Sequence, residues 1–212
     1  MRYAGIASCN GRGISRCMAS RTKPKRTVAA VAHKGKPTNA KLIAAAAREF
    51  NQRGFDGTDT NRIARRAGFA PQTFYRWFGD KTEIFLAVYR AWEDQERAML
   101  AKLLARKAPA SELVNAAIEH HRTHKLFRRS LRSLSLEDST VRKARAESRR
   151  RQIEQIKSWV APARPSSVEV ATILFQIERL ADGVAEGEFA DLGFDDRAAR
   201  EALADLVARL RT

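Results

Sequence analysis

The chain has 212 residues, 44% hydrophobic and 30% charged, so it is long enough for one or two domains with a buried core. Its 40 Lys and Arg against 24 Asp and Glu give a net charge of +16, which indicates an anionic partner such as nucleic acid, anionic lipid or a phosphorylated or acyl ligand. No apolar run approaches the roughly 20 residues that span a bilayer, and Met1–Ser20 lacks the apolar core of a secretory signal. Cys9 and Cys17 do not make a disulfide framework, so a reducing cytoplasm is expected.

The first 37 residues carry nine Lys or Arg and no acid, without a periodic apolar pattern. Such a segment cannot bury enough surface to offset its ordering entropy, so residues 1–37 are predicted to be a disordered basic extension. Two alternatives are a true start at Met18 and a basic arm that contacts DNA phosphates. The candidates for those contacts are Arg21, Lys23, Lys25 and Arg26.

Beyond Pro37 the apolar residues recur at helical spacing. Thr38 is the expected cap of a first helix, and Gly54 is its expected stop. The apolar face of this helix holds Leu42, Ile43, Ala46 and Phe50. A second short helix is predicted to begin at the cap residue Asp59 and to bury Ile63, Ala64 and Ala67. A tight turn is predicted at Gly68, and together with the next short helix it makes a helix-turn-helix.

A third helix is predicted from Pro71, whose missing N–H costs nothing in a first helical turn. Phe74 and Phe78 lie four residues apart and share its inner face. Asp80 and Glu83 have the spacing of a capping box, which opens a fourth helix that is expected to link the two parts of the chain.

The stretch from residue 42 to 88 closely resembles the TetR family of bacterial transcriptional regulators. The matching pieces are AAAREFNQRGF, DT followed by IARRAGF, TFYRWF and DKTEIF, in uninterrupted order. The resemblance implies that the third helix enters the DNA major groove and presents side chains to base edges and phosphates. The predicted DNA-binding residues are Thr60, Asn61, Arg62, Gln72, Thr73, Tyr75, Arg76, Trp77 and Lys81.

Among these, the side-chain chemistry of Arg76 suits guanine and that of Gln72 suits adenine. The resemblance assigns phosphate contacts to Tyr75 and Lys81, and the N-terminal N–H groups of the second helix, with Thr60, are expected at the DNA backbone. The chain departs from the family pattern at Ala70, where a capping Ser is common, and at Gln72 and Trp77. These departures remove a cap worth about 1 kcal/mol and put the bases that are read in doubt.

The remaining chain predicts helices only, with no phosphate loop or catalytic triad. Ser111 is the expected cap of a helix, a break is predicted near residues 137–140, and residues 142–160 form a predicted basic helix. Its run Arg142–Arg151 is expected to be a solvated face, with a surface near DNA or an acidic ligand as the alternative.

The last two helices are expected to hold a homodimer together, as the resemblance implies. The first of them, from Ser166 to about Gly187, is apolar nearly all round and is expected to be buried on most sides, whereas the second has a single apolar stripe. The predicted dimer residues are Phe175, Leu180, Val184, Leu203, Leu206 and Leu210.

An unidentified small-molecule effector is expected between the helices of this part. The candidate ligand-binding residues are His121, Phe127, Trp159 and Phe175. His120 and His124 have a spacing that can bind metal, but no carboxylate or thiol clearly completes a set, so no metal and no cofactor are predicted.

The sequence therefore predicts an all-α protein. Residues 38–82 are expected to form the helix-turn-helix DNA-binding domain, and residues 83–212 a larger helical ligand-binding and dimerisation domain. The predicted function is a sequence-specific transcriptional regulator, a dimeric repressor released from its double-stranded DNA operator by a small molecule, rather than an enzyme. The alternatives are an architectural, non-specific DNA-binding protein and a helical metal-dependent enzyme using His120 and His124.

Overall fold

A computed structural model of the protein describes residues 37–159 and 165–210, except the side chain of Trp159. The predictions for residues 1–36, including both cysteines and the four basic residues at 21–26, lie outside the described residues.

The two described ranges form ten α-helices and no strand, which confirms the predicted all-α class. The helices are α1 (Pro37–Arg53), α2 (Thr60–Arg66), α3 (Pro71–Tyr75), α4 (Lys81–Ala105), α5 (Ala110–Thr123), α6 (Lys125–Glu137), α7 (Ser139–Trp159), α8 (Ser167–Glu186), α9 (Glu188–Asp191) and α10 (Arg197–Arg209). No helix in these ranges is both long enough and apolar enough to cross a bilayer.

Side-chain caps fix where several of these helices begin. The Asp59 carboxylate accepts a hydrogen bond from the Arg62 N–H at 2.8 Å, and Asp80 accepts from the Glu83 N–H at 2.8 Å, as predicted. Ser166 and Glu169 form a reciprocal capping box at α8. Each cap satisfies N–H groups that have no partner inside the helix.

Two predicted caps are wrong. Thr38 lies inside α1, which already includes Pro37. Ser111 lies inside α5, where Pro109 occupies the cap position and no side chain caps the helix. At the other end of α8, Gly187 has φ +89°, a left-handed conformation that strains residues with a Cβ and ends the helix as predicted.

One apolar core joins the first four helices to α6 and α7. Phe85 of α4 lies at its centre, with ring centroids 5.1 Å from Phe50 and 5.0 Å from Phe127. Leu131 and Val141 complete it from α6 and α7. The helix-turn-helix is thus held in one orientation by burial of aromatic rings.

A second core lies among α5, α8 and α10. Val114 and Ile118 of α5 pack against Ala181 and Val184 of α8 and Leu203 of α10. α4 belongs to the first core through its early turns and then continues towards α5, so one uninterrupted helix connects the two parts.

α8 is less buried within the subunit than the sequence predicted. Val168 is 75% exposed and Phe175 is 49% exposed, because α8 packs on α5, α7 and α10 along only part of its circumference. An apolar surface of α8 and its neighbours therefore remains uncovered in a single subunit.

Candidate nucleic-acid interface and internal cavity

The short helix α3 presents polar side chains outward from an apolar anchor. Phe74 and Phe78 are buried against each other and the first core, with ring centroids 5.7 Å apart, as predicted. Gln72, Tyr75 and Arg76 are exposed, with Tyr75 58% exposed. Their side chains are therefore accessible to the groove of a docked duplex.

Two further predicted DNA residues of α3, Thr73 and Trp77, are half-buried. Ala70 occupies the cap position of α3 with extended backbone and no side-chain cap, while Pro71 fixes the first helical turn. This confirms the predicted missing cap.

The beginning of α2 meets the end of α3. The hydroxyls of Thr60 and Tyr75 lie 2.9 Å apart and share a hydrogen bond, which brings these two predicted phosphate-contacting groups together. Asn61 is exposed beside them. The Asp59 carboxylate already accepts the Arg62 N–H, so this helix end is partly neutralised and less attractive to a phosphate than a bare one.

The side chain of Arg62 lies close to a buried acid rather than pointing freely outward. Its Nε lies 4.0 Å from Glu49 of α1, which is 2% exposed. Glu49 also accepts from the Thr58 hydroxyl at 2.9 Å and pairs with Arg66 at 2.5 Å and Arg53 at 3.4 Å. Glu49 therefore holds α2 against α1. It also keeps the guanidinium groups of Arg62 and Arg66 close to the surface of the domain.

Lys81, expected at a DNA phosphate, is held inside the domain. Its ammonium group donates to the Phe55 carbonyl at 2.8 Å and the Thr58 carbonyl at 3.1 Å, and lies 4.0 Å from the centroid of the Phe55 ring. Lys81 thus holds the loop that leads into α2, and at most one of its three N–H donors remains for a phosphate.

A cavity of about 180 Å³ lies among α4, α5, α6, α7 and α8. Its wall includes Tyr89, Trp92, Glu93, Glu96, Arg97, Leu100, His121, Arg128, Leu131, Arg132, Arg145, Gln152, Gln155, Ile156, Leu174, Ile177 and Glu178. His121, one of the predicted ligand-binding residues, therefore lies on this wall.

A buried ionic network forms one side of this cavity. Asp182 of α8 accepts from Arg128 at 2.7 Å and Arg132 at 2.6 Å, and it faces His121 Nδ1 at 3.1 Å. The other ring nitrogen of His121 lies 3.0 Å from Glu96. Burial opposes ionisation of Asp182, but these partners hold its pKa well below the usual range.

The same network affects the neighbouring groups. Burial alone would lower the pKa of His121, but the adjacent carboxylates of Asp182 and Glu96 raise it. Burial opposes ionisation of Glu96, yet His121 lowers its pKa. Every charge in this chain of contacts is compensated by a neighbour of opposite sign.

Glu93, one turn before Glu96 on α4, has weaker compensation. Its side chain is 4% exposed and its nearest cation is the largely exposed Arg151, at 3.5 Å. Burial raises the pKa of Glu93 to about 7, against lowering by Tyr89, Arg151 and Arg97.

Two other predicted ligand residues, Phe127 and Phe175, do not line this cavity. Phe127 is buried in the first core beside Phe85, because α6 turns that side towards the helix-turn-helix. Phe175 lies on the outer side of α8 beneath the Arg149 guanidinium. The Trp159 side chain lies outside the described residues.

The predicted dimer residues divide into two groups. Phe175, Leu180 and Leu206 line an open groove between α8 and α10 with Phe189, and Leu210 is half-buried. Val184 and Leu203 are only 3% and 1% exposed in the second core. Within one subunit these two side chains therefore pack beneath the surface that the other predicted dimer residues form.

His120 and His124 have ring centroids 4.7 Å apart, and His120 stacks on Trp92 at 5.1 Å. His124 Nδ1 is hydrogen-bonded to the His120 carbonyl at 2.8 Å. Among the described residues, no group of three His, Cys, Asp or Glu side chains is placed to hold a metal ion.

The basic run of α7 is also less solvated than expected. Arg145 and Arg149 pair with Glu178 of α8, and Arg151 pairs with Glu93 of α4. Of these arginines, Arg145 lies on the cavity wall, whereas the side chain of Arg151 is 57% exposed, so the run is partly paired and partly solvated.

Sequence reasoning missed Glu49, Glu93 and Asp182. Each of these acids lies at a position where the helical pattern calls for an apolar residue: Glu49 beside Phe50, Glu93 beside Trp92 and Asp182 within α8. An acid on an apolar stripe was the available signal.

Residues 42–88 match the model of the family described as bacterial regulatory proteins, tetR family. The uncharacterized HTH-type transcriptional regulator YdgC of Bacillus subtilis (strain 168) is 31% identical over 85 residues, which are 40% of this chain and 44% of YdgC. The chain thus matches less than half the length of this curated relative.

Solved structures extend the likeness over most of the chain. A TetR-family transcriptional regulator from Rhodococcus sp. has a TM-score of 0.67 at 17% identity, covering 82% of this chain and 98% of that one. A transcriptional regulator from Saccharomonospora viridis in complex with choline has a TM-score of 0.61 at 18% identity, covering 80% and 95%. At these identities the likeness shows the fold, a helix-turn-helix domain followed by a helical domain.

The family match falls on the helix-turn-helix itself, and the shared fold continues through the helices that enclose the cavity. The chain is therefore similar to the tetR family of bacterial regulatory proteins in its helix-turn-helix segment, and to transcriptional regulators of known structure in its fold.

Proposed function

We propose that the protein is a homodimeric repressor that reads a specific operator with α3 and leaves the DNA when a small molecule occupies the cavity. The observation that carries this proposal is the course of α4. Its first turns, with Ile84, Phe85 and Val88, lie in the core of the helix-turn-helix, while Trp92, Glu93 and Glu96 line the cavity. A change of cavity shape is therefore transmitted along one continuous helix to the DNA-reading unit.

α6 supplies a second connection. Arg128 and Arg132 on this helix line the cavity, whereas Ser130 accepts a hydrogen bond from the Phe55 N–H at 2.9 Å, next to the loop that leads into α2. A ligand shifts the equilibrium only if it binds the DNA-competent and DNA-incompetent shapes with different affinity. The choline bound to the S. viridis regulator supports a ligand in this fold.

The uncovered apolar surface supports the homodimer. Phe175, Leu180 and Leu206 form an apolar floor, and the Arg179–Glu188 ion pair lies at its side. A second copy would cover this surface and place two recognition helices about 34–36 Å apart, one turn of DNA. The proposal includes a cytoplasmic location, since the partner is chromosomal DNA.

On the DNA, Arg76 and Gln72 are assigned to base edges, and Tyr75 with Thr60 to a phosphate. Thr73, Trp77, Asn61 and Arg62 are assigned supporting contacts, and Lys81 chiefly a positioning role. These assignments rest on exposure and side-chain chemistry.

A selection of genomic fragments bound by the full-length protein, followed by fluorescence anisotropy on one selected site, tests the proposal. We expect affinity at moderate salt at least about a thousandfold higher than for random DNA of the same length. Equal affinity for both would favour non-specific DNA packaging, the alternative suggested by the basic first 37 residues.

Sedimentation velocity tests the dimer. The wild-type protein is expected as a dimer and Leu206→Glu as a monomer, with Leu136→Glu as the matched control because Leu136 is 77% exposed on α6, away from the proposed interface. A dimer that survives Leu206→Glu would contradict the α8–α10 interface.

A further inference from the structure

We propose that the cavity recognises small organic cations, and that Glu93 is the residue that binds their ammonium group. The proposal deepens the function above, because the role of such a cation as an effector rests on that function, whereas its binding does not.

The first reason is that Glu93 is a buried carboxylate with incomplete compensation. Its side chain is 4% exposed, and Arg151, its nearest cation at 3.5 Å, has a side chain that is 57% exposed. Tyr89 supplies Glu93 with a hydrogen bond but no positive charge, and an exposed guanidinium at 3.5 Å contributes little, so a cation inside the cavity would supply the missing charged partner.

The second reason is that the other acids around the cavity already have partners. Glu96 is bonded to His121, Glu178 is paired with Arg145 and Arg149, and Asp182 is paired with Arg128 and Arg132. Glu93 is therefore the acid on the described cavity wall that gains most from a bound cation.

The third reason is that most arginines on the wall are already paired with buried or partly buried acids. Arg128 and Arg132 pair with Asp182, and Arg145 contacts Glu178, whereas the 46% exposed Arg97 has the exposed Asp94 at 3.1 Å. An anionic ligand would have to break one of these pairs and would also face Glu93, so charge complementarity favours a cation.

An unused hydrogen-bond acceptor agrees with this choice. The side-chain Oε1 of Gln152, on the cavity wall, is buried and has no hydrogen-bond partner among the described residues. An ammonium group has three donors, enough for Glu93 and Gln152 together. Trp92 Nε1 is buried without such a partner as well and is available to an acceptor on the ligand.

The size of the cavity limits the ligand. Its volume of about 180 Å³ is below the roughly 300–1,000 Å³ typical of sites for drug-sized molecules. The proposed class is therefore amines with few heavy atoms, with apolar bodies that contact Leu100, Leu131 and Ile156.

Binding of a cation should also release protons, since burial raises the pKa of Glu93 to about 7. The titratable and charged groups around it are Tyr89, Glu96 and Arg97 on α4, His121 on α5, Arg128 and Arg132 on α6, Arg145 and Arg151 on α7, and Glu178 on α8. A cation favours the ionised form of Glu93, so affinity should rise roughly tenfold per pH unit below pH 7 and level off above it.

Isothermal titration calorimetry of the full-length protein with three probes of similar size tests the proposal: benzylammonium, benzyl alcohol and benzoate. We expect benzylammonium to bind roughly ten- to a hundredfold more tightly than benzyl alcohol at pH 8, and benzoate to bind most weakly. Titrations in two buffers of different ionisation enthalpy should reveal proton release near pH 7.

Glu93→Gln should remove the preference for benzylammonium and its pH dependence while leaving benzyl alcohol binding within a few-fold. Glu154→Gln, an exposed acid on α7, is the matched control and should change neither. A thermal unfolding curve establishes whether each variant is folded. If Glu93→Gln does not fold, Glu93→Leu takes its place.

Tighter binding of benzoate, no preference among the probes, or no binding of any probe would each overturn the proposal. Adding benzylammonium to the operator complex distinguishes the binding of a cation from its proposed role as an effector. Glu93-dependent binding without release of DNA would leave the cation site standing and would contradict the proposed effector role.

Discussion

The two halves of α4 lie in surroundings of opposite chemistry. Around Ile84, Phe85 and Val88 the first core is closed, aromatic and apolar, and Glu49, the buried acid of that region, is satisfied by Thr58 and Arg66. Around Trp92, Glu93 and Glu96 the helix borders a cavity walled by charged side chains.

The comparison indicates a division of roles along a single helix. An apolar core packed with rings has one shape and is insensitive to pH and salt. A wall of ion pairs around a cavity responds to protons and to charged ligands, because the pKa values of its members depend on the charges around them. We therefore infer that the half proposed to read DNA is the more rigid one, and that the half proposed to sense a ligand is electrostatically adjustable.

The largest expected effect comes from breaking the ionic wall at Asp182. Asp182→Ala leaves the 7% exposed Arg128 without its carboxylate and removes one of the two acids that face His121. We expect the free energy of unfolding to fall by about 3–5 kcal/mol, because an uncompensated charge remains buried. Urea unfolding measures the loss, with the exposed Asp191→Ala expected within about 0.5 kcal/mol of wild type.

The pH dependence of that loss separates the two halves. The pKa of Asp182 is held below its unfolded value, so its stabilisation is present above the usual carboxyl range and is lost progressively as pH falls below that range towards the lower pKa of the folded state. Phe85→Ala in the apolar half should cost a similar amount, about 3–5 kcal/mol, at every pH. A penalty for Asp182→Ala that does not shrink in acid would contradict the electrostatic account.

The same contrast explains what could be predicted from the sequence. Signals for the DNA-reading half are local: Asp59 and Asp80 cap the next helix, and Phe74 and Phe78 lie one turn apart. The charged wall of the cavity depends instead on ion pairs between residues that are far apart in the sequence. Asp182 is 54 residues from Arg128, and Glu93 is 58 residues from Arg151, so no local pattern identifies the pairs.

Tertiary contacts also turn individual side chains away from the positions that the sequence predicted. Lys81 carries the charge expected at a phosphate, but the Phe55 ring and two loop carbonyls draw its ammonium group inward. Phe127 has the size expected of a ligand-binding residue, but α6 turns it into the first core. The chemistry of both side chains was evident from the sequence, while their direction depends on the packing of helices far apart in the chain.

Glu93 gives the next largest effect, and its contribution to stability changes with pH in the direction opposite to that of Asp182. Its pKa is raised to about 7, so the native state holds a proton more tightly than the unfolded chain, and stability is lost as pH rises from about 4.5 to 7. Glu93→Gln removes this dependence, so relative to wild type it should gain about 1–3 kcal/mol between pH 5 and pH 8. Chemical unfolding at both pH values measures the gain, and Glu154→Gln should show none.

On the rigid side, Arg76→Ala tests base reading without disturbing the core. Arg76 is exposed at the end of α3, so the variant should unfold like wild type but lose about 1–3 kcal/mol of operator binding and relax preference at one base position. Anisotropy on operators substituted at each position measures this. Arg90→Ala, an exposed arginine on α4, is the control, and unchanged base preference in Arg76→Ala would remove Arg76 from the reading set.

The smallest expected effect is a gain in the rigid half. Ala70 caps α3 with backbone at φ −66°, ψ 150°, the extended conformation that a capping residue adopts, but it has no side-chain oxygen to accept an N–H. Ala70→Ser supplies one and should raise the free energy of unfolding by about 0.5–1 kcal/mol. Ala44→Ser, on the exposed face of α1, should instead lose a few tenths, about 0.5 kcal/mol at most, through its lower helix propensity. If α3 is already held in its reading position by Phe74 and Phe78, the new cap should leave operator preference unchanged. A changed preference would mean that the DNA-reading helix, too, is adjustable in the free protein.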